Sequence, residues 1–147
     1  MSSTTLTPQE AFERLKNDDA TTYVDVRTVA EFATGHPKGK IINVPIVFFH
    51  PTTKAVFQNE SFDLVMEEVC PKETPLIVGC EKGPRAKQAV ERLAAAGYEN
   101  IHLMEAGHAG WKAADLPVTA DNRDGISYVS LLTPAKRKQK KKKKAKH

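Results

Sequence analysis

The sequence predicts a single α/β domain with a mainly parallel central sheet flanked by helices. Four short apolar runs are separated by segments with helical spacing, which is the pattern of consecutive β-α-β units. The chain of 147 residues is long enough to bury one core. Its apolar content of 40% is that of an ordinary globular protein rather than of a disordered chain.

The predicted elements follow from these runs and from the capping residues between them. The first helix begins at the capping box Thr7-Pro8-Gln9-Glu10, in which the two outer residues satisfy each other's backbone amides. The predicted strands cover residues 23–26, 41–44, 75–79 and 101–104. The predicted helices cover residues 8–16, 28–33, 61–69, 85–96 and 107–114. We interpret residues 46–59 as an irregular loop packed on the core.

Charge is divided unevenly along the chain. The formal net charge of +4 combines 22 basic and 18 acidic residues. Nine of the basic residues lie between Lys136 and Lys146, which leaves 13 basic against 18 acidic residues in the rest, a charge of −5. We therefore predict a domain over residues 1–134 and a disordered, lysine-rich tail over residues 135–147. This charge disfavours a single basic domain built to hold nucleic acid.

Several classes of protein are disfavoured by what the sequence contains. Its apolar runs are shorter than the roughly 20 residues of a membrane-spanning helix, and the first residues do not resemble a secretory signal. Two cysteines, Cys70 and Cys80, are too few for a disulfide scaffold or a zinc site. We expect reduced thiols, no bound metal and a cytoplasmic location, with nuclear localisation through the basic tail as an alternative.

The strongest candidate for a functional site is the loop that follows the third predicted strand. Its residues are Cys80, Glu81, Lys82, Gly83, Pro84, Arg85 and Ala86. The cysteine ends a buried strand and a helix begins after the loop, which is where open α/β sheets bind ligands. Loop amides and the helix N-terminus attract an anion and favour a thiolate. We predict a reactive thiolate at Cys80, the alternative being a small buried apolar residue.

Charged neighbours support the prediction of a thiolate. Lys82 and Arg85 add positive charge beside the sulfur, and we expect the side chain of Glu81 to point outward. Asp25 and Arg27 end another strand and can reach the same edge of the sheet. We interpret them as a buried ion pair that orders the loop rather than as catalytic groups.

Motifs between residues 6 and 119 resemble those of the single-domain rhodaneses, a family of sulfurtransferases. Residues 80–85 resemble the Cys-x-x-Gly-x-Arg active loop of that family. The other matching elements, in order, are Asp-Val-Arg at 25–27, Glu-Phe at 31–32, Gly-His at 35–36, Ile-Asn-Val-Pro at 42–45, and the closing segments at 104–111 and 116–118. Together they are specific, whereas each alone is weak.

The resemblance implies a rhodanese fold and persulfide chemistry. Cys80 would attack the outer sulfur of a donor such as thiosulfate, and the persulfide would pass its sulfur to cyanide or a thiol. The backbone of residues 81–86 would stabilise the charge, Lys82 and Arg85 would hold the donor, and Asp25 and Arg27 would support the site. No metal or organic cofactor is implied.

Two alternatives remain open. Pro84 has no amide hydrogen, which favours a non-catalytic or sulfur-carrier module. A phosphatase or arsenate reductase on the same fold is disfavoured, since four residues separate Cys80 from Arg85 where the related phosphatases have five.

Cys70, before Pro71, we expect to be inert. For the tail, we expect an anionic partner, either RNA or a membrane surface, bound without base stacking because no aromatic residue interrupts the lysines.

Overall fold

A computed structural model describes the backbone of residues 3–145 and the side chains of residues 4–141. The strands are β1 (Ser3–Leu6), β2 (Thr22–Asp25), β3 (His36–Pro37), β4 (Ile41–Asn43), β5 (Val47–Phe49), β6 (Val56–Gln58), β7 (Leu76–Gly79), β8 (Ile101–Met104) and β9 (Val118–Thr119). The helices are α1 (Pro8–Asn17), α2 (Val29–Thr34), α3 (Phe62–Val69), α4 (Pro84–Ala95), α5 (Gly107–Ala113) and α6 (Tyr128–Ala145).

The centre of the fold is a five-stranded sheet in the order β1-β8-β7-β2-β4, in which every neighbouring pair is parallel. Successive residues along a strand face opposite sides of a sheet. Accordingly, Val24 and Val78 pack into one apolar cluster, while Tyr23 and Ile77 pack into a second cluster with Trp111. This architecture confirms the predicted fold class and places β7 between β8 and β2.

Three short features were not predicted. β5 and β6 form an antiparallel hairpin within residues 46–59, so the prediction of an irregular loop there was wrong. Strands of three residues are too short to show an alternating pattern. β1 adds an edge strand beside β8, and β3 pairs with β9 over two residues.

The predicted disorder of the tail also differs from the structure. α6 runs through the proposed boundary at residues 134 and 135 and continues to Ala145, while residues 146–147 lie outside the described residues. Tyr128, Leu131 and Ala135 recur at helical spacing and are buried against the domain, where α6 packs on α3. The packing of these three residues against the domain therefore stabilises the first part of a helix. The charge pattern alone does not predict this helix.

None of the helices within the described residues combines the length and the apolar content needed to cross a bilayer.

The packing of α6 on the domain is tested by shortening one side chain on its buried face and one on its exposed face. Leu131→Ala removes a side chain that is 8% exposed, so we expect the free energy of unfolding to fall by about 2–3 kcal/mol. Val129→Ala removes one that is 63% exposed, and a change within about 0.5 kcal/mol is expected. Urea unfolding measures both. Equal losses in the two variants would contradict the packing of α6 on the domain.

Candidate functional site

Cys80 lies at the carboxyl edge of the sheet, directly after β7. The loop of residues 80–83 leads into α4, whose first residue is Pro84 and whose N-cap is Gly83. Gly83 has a φ of 119°, and a side chain there would approach the Glu105 carbonyl oxygen to 2.8 Å. Only glycine suits both the backbone conformation and this close approach. The tight loop expected from the sequence is therefore present.

The sulfur of Cys80 accepts a hydrogen bond from the backbone of its own loop. The Gly83 amide nitrogen lies 3.0 Å from Cys80 Sγ, and the Cys80 residue is 1% exposed. Both cysteines are free thiols. The sulfur therefore lies at the N-terminus of α4, where backbone amides and the helix dipole attract negatively charged groups.

The first turn of α5 fixes the orientation of the loop backbone. The His108 amide donates to the Cys80 carbonyl oxygen at 2.7 Å, and the Ala109 amide donates to the Glu81 carbonyl oxygen at 3.1 Å. A trans peptide is planar, with its C=O and N–H on opposite sides. Because both carbonyls are bonded toward α5, the amides of Glu81 and Lys82 point away from α5.

Gly107 makes this contact between α5 and the loop sterically possible. Its φ is +67°, and a Cβ atom there would lie 2.3 Å from the Glu81 carbonyl oxygen. Any side chain at this position would push α5 away from the loop that holds Cys80.

Asp25 and Arg27 form the buried ion pair that the sequence suggested. Their side chains are 1% and 2% exposed, and Arg27 Nη2 lies 2.7 Å from Asp25 Oδ2. Arg27 also donates to the Gly35 carbonyl oxygen at 2.8 Å. Burial raises the pKa of the Asp25 carboxyl, and the hydrogen bonds from Arg27 oppose that rise. The pair joins the end of β2 to the turn after α2.

Glu81 differs from the expectation that its side chain points outward. Its Oε1 atom lies 3.4 Å from Arg27 Nη1, and the side chain is 31% exposed. The expectation was wrong because the buried guanidinium of Arg27 attracts the Glu81 carboxylate.

Arg85 points toward α2 and forms a two-pronged ion pair there. Its Nη1 and Nη2 atoms lie 2.6 and 2.9 Å from the two carboxylate oxygens of Glu31, and its guanidinium carbon lies 5.5 Å from the centre of the Phe49 ring. Burial alone would raise the pKa of Glu31, but hydrogen bonds from Arg85 and Thr28 lower it to about 2. Arg85 is thus held by a carboxylate, which competes with any anionic donor.

The remaining predicted site residues have different environments. Lys82 is exposed and has no hydrogen-bond or ion-pair partner within the described part of the chain. Pro84 is exposed, whereas Ala86 is buried in the apolar core. Of the two cations expected to hold a donor, Lys82 is therefore the one without a competing carboxylate.

Cys70 lies apart from Cys80, at the amino edge of the sheet. Together with Thr22 and Pro75 it lines a cavity of about 720 Å³. Burial raises the pKa of the Cys70 thiol to about 11, which agrees with the expectation that it is inert. Within the described residues, no three His, Cys, Asp or Glu side chains are grouped so that they could hold a metal ion.

Two parts of the site were missed by sequence reasoning. Glu31 was noted only as part of the Glu-Phe motif at 31–32, and its pairing with Arg85 was not predicted; the local signal for its position is the capping box that it forms with Thr28 at the start of α2. The second part is the α5 turn at Gly107, His108 and Ala109, whose signal is a glycine that opens a short helix. The His108 imidazole is buried, and burial with the nearby charge of Arg27 lowers its pKa to about 4.

The contact between α5 and the loop is tested by adding one methyl group. Gly107→Ala is expected to lower the free energy of unfolding by about 3 kcal/mol, since it combines a clash with backbone strain. Gly125→Ala is the matched control, because Gly125 has a φ of +92° with nothing near its missing Cβ. It should cost about 1 kcal/mol. Equal losses in urea unfolding would show that α5 does not press on the loop.

The Glu31–Arg85 pair is tested by Glu31→Gln, which keeps the capping box but removes the charge. We expect a loss of about 1 kcal/mol at pH 7, because the pair is partly exposed. The folded pKa of Glu31 is about 2, below its ordinary 4.5. The stability that the pair contributes is therefore complete above pH 4.5 and is lost as the pH falls toward 2.

Urea unfolding at several pH values measures the difference between the parent protein and Glu31→Gln. That difference should shrink across this acidic window. A difference that stays constant with pH would contradict an ionic contribution.

Comparison with known proteins gives three findings on family and fold. The family model described as "Rhodanese-like domain" matches residues 7–114. The chain is 36% identical over 118 residues to the thiosulfate sulfurtransferase GlpE of Haemophilus influenzae, covering 80% of this chain and 96% of that protein. Rhodanese-like domain-containing protein 17 of Arabidopsis thaliana is 30% identical over 78% of this chain and 72% of its own length.

A solved structure supports the fold. Rv0390 from M. tuberculosis aligns with a TM-score of 0.67 at 24% identity, covering 82% of this chain and 98% of that one. The family model matches well over half of the chain, and the H. influenzae relative is matched along nearly its whole length. This chain therefore belongs to the rhodanese-like domain family, whose relatives include thiosulfate sulfurtransferases.

Proposed function

We propose that this protein is a sulfurtransferase that moves sulfane sulfur from thiosulfate, through a persulfide on Cys80, to cyanide or a thiol. The observation that carries the proposal is the hydrogen bond from the Gly83 amide to Cys80 Sγ. It lies in a loop whose carbonyls are bonded toward α5. Relatives named thiosulfate sulfurtransferases support the choice of donor.

In the first step, a lone pair of the Cys80 thiolate attacks the outer sulfur of thiosulfate. A new S–S bond forms, the S–S bond of thiosulfate breaks, and its electron pair leaves with sulfite. The Gly83 amide and the N-terminus of α4 stabilise the negative charge that the outer sulfur retains in the Cys80 persulfide, while the charge of the attacking thiolate leaves with sulfite. Lys82, without a competing carboxylate, attracts the dianionic donor.

In the second step, the acceptor attacks the outer sulfur of the persulfide. The persulfide S–S bond breaks and its electron pair returns to Cys80 as the thiolate. Cyanide becomes thiocyanate, whereas a thiol gives up its proton and becomes a persulfide. The two half-reactions share a covalent intermediate, so the kinetics are expected to be ping-pong.

Two observations favour the alternative of a sulfur carrier without rapid turnover. Cys80 is 1% exposed and Pro84 supplies no amide hydrogen to the loop. A carrier would form the persulfide but release it slowly. A phosphatase or arsenate reductase gains no support from the site, because Arg85, the residue that would hold the oxyanion, is paired with Glu31.

Mass spectrometry of the intact protein after incubation with thiosulfate tests the proposal. We expect an added mass of one sulfur on the parent protein and on Cys70→Ser, and no added mass on Cys80→Ser. At pH 8 the Cys70 thiol, with its pKa of about 11, is ionised in only about one molecule in a thousand. Loss of the adduct in Cys70→Ser alone would overturn the assignment to Cys80.

Turnover is measured in the same samples as thiocyanate formed from cyanide, with phosphate ester hydrolysis run in parallel. Thiocyanate formation that disappears in Cys80→Ser supports the enzyme. A stable adduct without turnover identifies a carrier. Phosphate release in place of an adduct would contradict sulfur chemistry.

A further inference from the structure

We propose that the C-terminal part of α6, residues 136–144, binds the phosphate backbone of double-helical nucleic acid. We refer to these residues as the cationic segment. This surface is separate from the loop around Cys80, and its binding requires no sulfur transfer. Four observations support the proposal: anchoring of the helix, spacing of its charges, their lack of acidic partners and the lack of an apolar face.

α6 is anchored to the domain by its first part. Tyr128, Leu131 and Ala135 are buried, and no charged residue occurs between Tyr128 and Ala135. The Tyr128 hydroxyl lies within hydrogen-bond distance of both side-chain polar atoms of Asn59, at 2.9 and 3.2 Å. Because the anchored part belongs to the same helix, it presents the cationic segment from a fixed base.

The density of positive charge along the cationic segment matches that of a nucleic acid duplex. Eight of its nine residues are Lys or Arg, with Gln139 as the exception. At 1.5 Å per residue, nine helical residues span about 13.5 Å, or about one positive charge every 1.7 Å. Double-stranded DNA carries one negative charge per roughly 1.7 Å of helix axis. A single strand carries about half that density.

Among the side chains of the cationic segment that the structure describes, which end at Lys141, one charge has an acidic partner. Lys138 pairs with Glu68 of α3. Lys136, Arg137, Lys140 and Lys141 are exposed, and no acidic partner is found for them among the described side chains. Like charges three and four residues apart repel one another on a helix. A bound polyanion neutralises these charges and removes the repulsion. Binding therefore stabilises the helical form of the segment, and the helical form in turn favours binding.

The composition of the cationic segment favours nucleic acid over a membrane surface. Helices that lie in a membrane interface bury an apolar face, and residues 136–144 contain no apolar residue. They contain no aromatic residue to stack on bases either. Contact is therefore limited to phosphates and is independent of base sequence. Since the rest of the chain carries a net negative charge, it repels the duplex and leaves α6 as the contact surface.

Fluorescence anisotropy of the full chain with a labelled DNA duplex of about 20 base pairs, between about 50 and 200 mM salt, tests the proposal. The test variant changes all five lysines from 140 to 144 to glutamine, K140Q, K141Q, K142Q, K143Q and K144Q, which keeps helix-forming residues. We expect Kd to rise more than about 100-fold at the lowest salt. The slope of log affinity against log salt should become shallower by about 4 to 5.

The control variant removes the same number of exposed lysines elsewhere, by K16Q, K38Q, K54Q, K87Q and K112Q. Its Kd should stay within about threefold of the parent value, and both variants should unfold at the parent's midpoint. If the affinity for the duplex fell equally in the two variants, net charge alone would explain the binding, and the proposal would be overturned. Tighter binding to phosphatidylserine vesicles or to the single strand at the same salt, or no binding by the parent protein, would also overturn it.

Discussion

The active loop depends on two backbone hydrogen bonds that come from outside it. The amides of His108 and Ala109 bind the carbonyls of Cys80 and Glu81, and thereby decide which way the intervening peptide planes face. Each bond contributes only about 1 kcal/mol to stability. Their larger effect is directional, because a loop with its carbonyls turned inward would repel an anion, whereas amides turned inward attract one. The sheet fixes the position of the Cys80 sulfur, and the hydrogen bonds from α5 fix the orientation of the loop peptides around it.

Much of the fold was predictable because its signals are local. Four of the five strands in the main sheet, β2, β4, β7 and β8, are apolar runs, and the first helix carries its own capping box. β1 was missed because its Ser-Thr-Thr-Leu sequence is mostly polar and becomes a strand by pairing with β8. α6 was missed because three buried residues, spread over eight positions, are overshadowed by the lysines that follow. In both cases the deciding interaction is tertiary.

The site also contains residues that were predictable from local sequence and residues that were not. Cys80 and Gly83 were predictable because a strand, a tight loop and a helix are consecutive in the chain. The partnership of Arg85 with Glu31 joins residues 54 positions apart, and nothing near either residue indicates the other. The inward side chain of Glu81 likewise depends on Arg27, which another strand positions. The sequence thus predicted the candidate nucleophile, Cys80, whereas the structure identifies the groups that orient its surroundings.

The separation of negative charge on the body from positive charge on α6 affects how the molecule approaches a charged partner. An acidic body joined to a strongly cationic helix is a large electric dipole. In the field of a polyanion such a molecule experiences a torque that turns the helix forward, so that encounters are oriented and faster than random collision. Dissolved salt shortens the range of this torque to about 10 Å or less. The order of approach is then set by electrostatics, with α6 arriving first and the acidic body behind it.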